Sequence, residues 1–83
     1  MMSTTEKLIE KARRSPNNFT FEEICLLAER VGFIFRRQAG SHRIYKHSLY
    51  KAMMNFQPDK RNPGKAKGSQ IKQLLDFIEA MEK

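Results

Sequence analysis

The chain has 83 residues, 40% hydrophobic and 30% charged, with 16 Lys and Arg against 9 Asp and Glu for a net charge of +7. That length supports one modest core, and this balance excludes a wholly disordered chain. The longest apolar run, ICLLA at 24–28, falls far short of the roughly 20 residues a membrane helix needs, and the lone Cys25 excludes an internal disulfide and a cysteine-based zinc site. MMSTTEKLIEKARR has no apolar signal core, so one cytoplasmic domain over residues 1–83, with no membrane association, is expected.

Residues 4–14, TTEKLIEKARR, read as a short helix with Leu8, Ile9 and Ala12 on its apolar side, stopped by SPNN at Pro16. A second helix opens at Thr20, an N-cap with Glu23 at the capping-box position. Phe21, Ile24, Cys25, Ala28 and Val31 keep helical spacing, and Gly32 suits the residue just past the helix end. The period then changes. FIFRRQ (33–38), RIYKH (43–47) and AMMNF (52–56) read as three strands, joined closely enough for an antiparallel meander. Met53 and Met54 should point to opposite sides. QPDKRNPGKAKGSQ (57–70) has no period and reads as a loop. Ile71, Leu74, Leu75, Ile78 and Met81 then mark a helix over Ser69–Met81. The fold class is α+β, an α-β-β-β-α order preceded by a short helix, with two helices on one face of the sheet.

Charge is unevenly spread. Residues 1–35 carry five basic and five acidic residues, whereas residues 36–67 carry nine basic residues against Asp59 alone. Such a concentration is the footprint of a phosphate-backbone binder, with a merely soluble basic surface as the plain alternative.

His42 is the sharpest candidate for chemistry, because imidazole can exchange a proton near neutrality. It follows Gly40, which permits a turn closed to other residues, and Ser41, which adds a hydroxyl and an amide. Arg36, Arg37 and Arg43 flank the turn and can hold a phosphate. An ordinary exposed histidine in a basic hairpin is the competing reading. His47, five residues along a strand, should face the other way about 16 Å off, which argues against a two-histidine pair and for a structural role. Lys65 and Lys67 in GKAKG precede a helix N-terminus and read equally as a phosphate contact or as a flexible connector. Cys25 belongs to the core. Tyr45 is either a half-buried strand residue or a base-stacking one. The histidines, Cys25 and Asp59 lack metal-ligand spacing.

GFIFRRQAGSHRIYKH, the basic third-strand region with NFQP, and KGSQIKQLLDFIE together resemble the HicA toxins of bacterial toxin-antitoxin systems, over about Phe19 to Ile78. Gly32-Phe33 followed by Gly40-Ser41-His42-Arg43 carries most of the likeness, and residues 4–14 look like an extension of the family core. The resemblance implies a double-stranded-RNA-binding-domain-like fold and cleavage of mRNA without metal or cofactor. It maps the active histidine to His42. It also implies a monomer that a HicB-type antitoxin neutralises in a hetero-oligomer. Some members have a further histidine after the third strand, where this chain has Gln57-Pro58. Arg36, Arg37, Gly40, Ser41, Arg43, Lys46, Lys65 and Lys67 form the expected RNA-contacting set. The rival expectations are a non-catalytic RNA-binding module and a scaffold for an acidic protein.

Overall fold

A computed structural model describes residues 3–82. Its first helix, α1, spans Thr4–Arg14. The Ser3 hydroxyl accepts the Glu6 N–H at 3.1 Å while the Glu6 carboxylate accepts the Ser3 N–H at 3.3 Å, a reciprocal cap that satisfies two otherwise free donors. Pro16 begins a 3-10 turn over Pro16–Asn18, and α2 follows at Phe21–Arg30. Its start is the expected capping box: Thr20 Oγ1 accepts from Glu23 N and Glu23 Oε1 accepts from Thr20 N, both at 3.0 Å. Ile24, Cys25, Leu27 and Ala28 turn inward. Gly32, just past the helix, adopts φ +106°, a conformation L side chains rarely take.

β1 (Phe33–Ala39), β2 (His42–His47) and β3 (Met53–Phe56) form an antiparallel sheet in the order β1-β2-β3. α3 spans Gly68–Met81. The architecture is thus α+β, an open three-stranded sheet with α2 and α3 against one face and α1 resting on those two helices. The largest fully buried side chains, Tyr45, Phe19, Phe56, Ile24, Leu27 and Leu74, fill the space between sheet and helices. Met54 joins them and Met53 faces outward, as strand alternation requires.

Residues 57–67 are more ordered than a connector. Asp59 N donates to Lys65 O at 2.9 Å, Ala66 N to Phe19 O at 2.9 Å, and Phe21 N to Gly64 O at 3.1 Å. Ala66 is buried. The segment is the loop that its aperiodic sequence predicts, but the stretch carrying Lys65 and Lys67 is pinned by backbone hydrogen bonds to the start of α2 and is not a flexible connector. Such bonds leave no side-chain period to read.

Lys11 Nζ lies 2.9 Å from both carboxylate oxygens of Glu23, tying α1 to α2. Burial works to raise the Glu23 pKa, but the Lys11 ammonium and the Thr20 N–H outweigh it and hold the carboxyl below its ordinary value. A depressed folded-state pKa stabilises the fold above the unfolded-state pKa, and that stabilisation is lost as pH falls through the folded value. Glu23→Gln should therefore destabilise the protein by roughly 0.5–1 kcal/mol at neutral pH. Denaturant unfolding at successively lower pH should show the gap between variant and wild type closing through the acid range.

Candidate nucleic-acid interface

The alternation of β2 decides which residues meet solvent. Tyr45 and His47 point into the helices, so His42, Ile44 and Lys46 point out of the open face. Cross-strand register extends that face. Arg37 and Asn55 flank Ile44, Ile34 and Met53 flank Lys46, and Ala39 stands opposite His42. These residues form three rows across the sheet, with His42 at the hairpin end and Lys46 at the other.

β1 breaks its own alternation. Phe35 pairs with Tyr45 but Arg37 pairs with Ile44, so a bulge inserts Arg36. Strict alternation would send one arginine to each face. The extra residue instead puts both on the open one: Arg37 sits opposite Ile44, and Arg36 lines a cavity of about 240 Å³ with Ile34, Lys46, His47 and Ser48. No Asp or Glu occurs between Glu29 and Asp59. Among the described residues the ion pairs are Lys11–Glu23, Arg14–Glu10 and Lys72–Asp76, all made by helix residues. Arg36, Arg37 and Lys46 keep their charge free for a polyanion.

His42 is half-buried at the first position of β2, straight after a two-residue hairpin loop. Gly40 takes φ +63° and Ser41 a negative φ, the pattern of the II′ turn that matches strand twist. His42 Nδ1 lies 2.9 Å from Asn55 Oδ1. Nδ1–H donates to that oxygen, which leaves Nε2 with its lone pair and no hydrogen-bond partner among the described residues. Asn55 is a residue the sequence reading missed. Only the pairing of β3 with β2 brings it, 13 positions away, to the histidine.

His47 has the structural role expected of it. Its Nε2 donates to Val31 O at 2.8 Å, and its Nδ1 accepts from Leu49 N at 3.0 Å and Tyr50 N at 3.3 Å. Phe33, Tyr50 and Phe77 pack on the ring, with centroids 4.9 to 5.3 Å from it. Its partners consume both nitrogens.

Other expected contacts scatter. Arg43 points to the helix side, its guanidinium 5.4 Å from the Phe21 ring centroid, and does not share a face with His42. Tyr45 is 1% exposed. Burial, with the Cys25 thiol beside it, pushes its phenol well above the ordinary range. Base stacking is thus closed to Tyr45 and the strand-core reading holds. Cys25 is buried as expected, and burial pushes its thiol up. Lys65 pairs across Thr20 at the start of α2, and Lys67 stands at the N-cap of α3. Gln70, in the first turn of α3, accepts the Gln57 N–H at 3.1 Å, which holds that turn against the end of β3 on the His42 side. Among the described residues no three His, Cys, Asp or Glu side chains gather as a metal-ligand set, and no helix is long and apolar enough to cross a membrane. A larger cavity, about 480 Å³, lies between α1 and α3, but its rim mixes Arg13 and Lys72 with Asp76 and Glu79, which cancels the pull on an anion.

Two glycines test this geometry. A Cβ at Gly32 would sit 2.7 Å from His47 Nε2, whereas one at Gly40 would meet nothing within 4 Å. Gly32→Ala should cost roughly 2–3 kcal/mol, from strain and collision together, and Gly40→Ala about 1–2 kcal/mol, from backbone strain alone. Denaturant titration of the two variants reads the difference. Asn55→Ala should leave the fold intact but shift the neutral His42 ring from the Nδ1–H tautomer to a mixture, visible in the nitrogen chemical shifts of the imidazole. Comparison with family models, with curated proteins and with solved structures finds no match for this chain.

Proposed function

We propose that the protein is an endoribonuclease that cuts mRNA without a metal. On this reading it is a HicA-like toxin of double-stranded-RNA-binding-domain-like fold, held inactive in the cell by a HicB-type antitoxin. The sequence resemblance motivates the reading. The observation that carries it is the His42–Asn55 hydrogen bond, which fixes the tautomer with Nε2 free on a face that has cations and no carboxylate. A flat, open site suits an extended polymer better than a small molecule, which would need enclosure.

In the proposed reaction His42 Nε2 takes the proton of a ribose 2′-hydroxyl. The 2′-oxygen attacks the adjacent phosphorus and the bond to the 5′-oxygen breaks. The products are a 2′,3′-cyclic phosphate and a 5′-hydroxyl whose proton comes from the His42 imidazolium or from water. Arg37 is diagonal to His42 across the β1–β2 pair, a separation of about 7–8 Å that a guanidinium side chain can bridge toward the phosphate. Arg43, on the helix side of the sheet, is not placed to stabilise the developing charge, whereas Arg37 is.

A second reading, a non-catalytic RNA-binding module, draws on one observation. The other imidazole, His47, is inside the core, so no second imidazole stands on the open face. Incubating the protein with single-stranded RNA in EDTA separates the two. Cleavage supports the nuclease, and binding without cleavage supports the module. His42→Ala should reduce cleavage by about 10²–10⁴-fold while RNA affinity stays near wild type. A 2′-deoxyribose at the cut site should block the reaction, and undiminished scission of that substrate would rule out the 2′-hydroxyl as nucleophile.

A further inference from the structure

The cavity at the far end of the open face is a second, independent feature. Its two cations come from different strands, Arg36 through the bulge and Lys46 from β2, and Ser48 adds a hydroxyl to the same wall. Neither cation has an acidic partner among the described residues. Lys46 and His42 share a face four residues apart on one strand, about 13 Å at the rise of a β-strand. An extended ribose–phosphate unit, six covalent bonds from one phosphorus to the next, covers roughly half that distance. Two such units therefore span the distance from the histidine to the cavity, with one linkage between the two held phosphates. Between and beside the cations lie Ile34, Ile44 and Met53, with Ile34 53% and Met53 63% exposed. Apolar surface of that kind can contact the faces of unpaired bases, which a duplex hides.

We infer that Arg36, Lys46 and Ser48 form a phosphate subsite for single-stranded RNA, which holds the linkage two removed from the one placed at His42. The strand runs along β2, and on one side of the cut the substrate must extend at least two further linkages. The inference rests on the reading of His42 as the reaction centre for its register, but the subsite itself can be tested by binding alone.

The probe is a nine-nucleotide single-stranded RNA cut at one linkage, prepared as a series with a neutral methylphosphonate at each linkage in turn. Wild type is assayed for kcat/KM and His42→Ala for Kd, each with and without Arg36→Ala/Lys46→Ala, a pair of exposed changes that spare the core. Neutralising the linkage two removed from the cut on one side should weaken binding and kcat/KM about fivefold to tenfold. In the double variant the same replacement should have no effect. The slope of log affinity against log salt should fall by about 0.7 for the lost contact. Equal losses in the double variant and its parent at every linkage, or an unchanged salt slope, would overturn the subsite even if His42-dependent cleavage stands. Coupling in Kd without cleavage by any form of the protein would establish the subsite and remove the nuclease reading.

Discussion

The inward seat of His47 is the constraint on which the rest depends. Its ring bridges the carbonyl of Val31 at the end of α2 and the backbone of Leu49 and Tyr50 after β2. Phe33 and Phe77 close around it, so α2, β1, β2 and α3 meet at one side chain. Gly32 has no room for a Cβ because that ring occupies the space. Once His47 is fixed inward, strand alternation leaves no freedom at the other end of β2. Tyr45 goes in, and Lys46, Ile44 and His42 go out. A slip of one residue would bury two groups that need water and expose two that need the core. Two histidines of one strand thus acquire opposite duties from parity alone.

Electrostatics follow from the same division. The helices carry acids and bases together and form the three ion pairs seen among the described residues, two between residues four apart and one, Lys11–Glu23, between α1 and α2. The sheet has no acid to pair with, so its positive potential reaches solvent undiminished apart from screening by salt. The protein is polarised in a way that its net charge alone does not describe. An anionic polymer approaching it meets an attractive side that also carries the one imidazole with an unused nitrogen.

Much of this was legible in the sequence, and the exceptions have physical reasons. The helix boundaries at Thr4–Arg14 and Phe21–Arg30 follow from Pro16, the Thr20–Glu23 cap and Gly32, all local signals. The last helix shows through its apolar period, although Phe77 escaped notice because it packs toward the His47 ring from beside the main stripe. The turn before His42 announces itself through Gly40. What pairing creates could not be read locally. Asn55 meets His42 only because β3 lies beside β2 in one register, and the bulge at Arg36 appears only when β1 is set against its neighbour. Read alone, FIFRRQ alternates regularly and would place its arginines on opposite faces. The hydrogen bonds that pin residues 57–67 belong to the backbone and leave no trace in residue type.

The bulge has one more consequence, for the sheet's rim. β1 is an outermost strand with a row of peptide groups that no neighbouring strand takes up. A straight, uncharged ribbon in that position would invite a second molecule to add its own strand and continue the ladder. The inserted residue interrupts the spacing of those peptide groups near the strand's middle and sets two adjacent like charges there, so an incoming copy finds neither matching rungs nor a neutral approach. The irregularity that gathers the arginines thereby also works against the addition of a further strand along this rim.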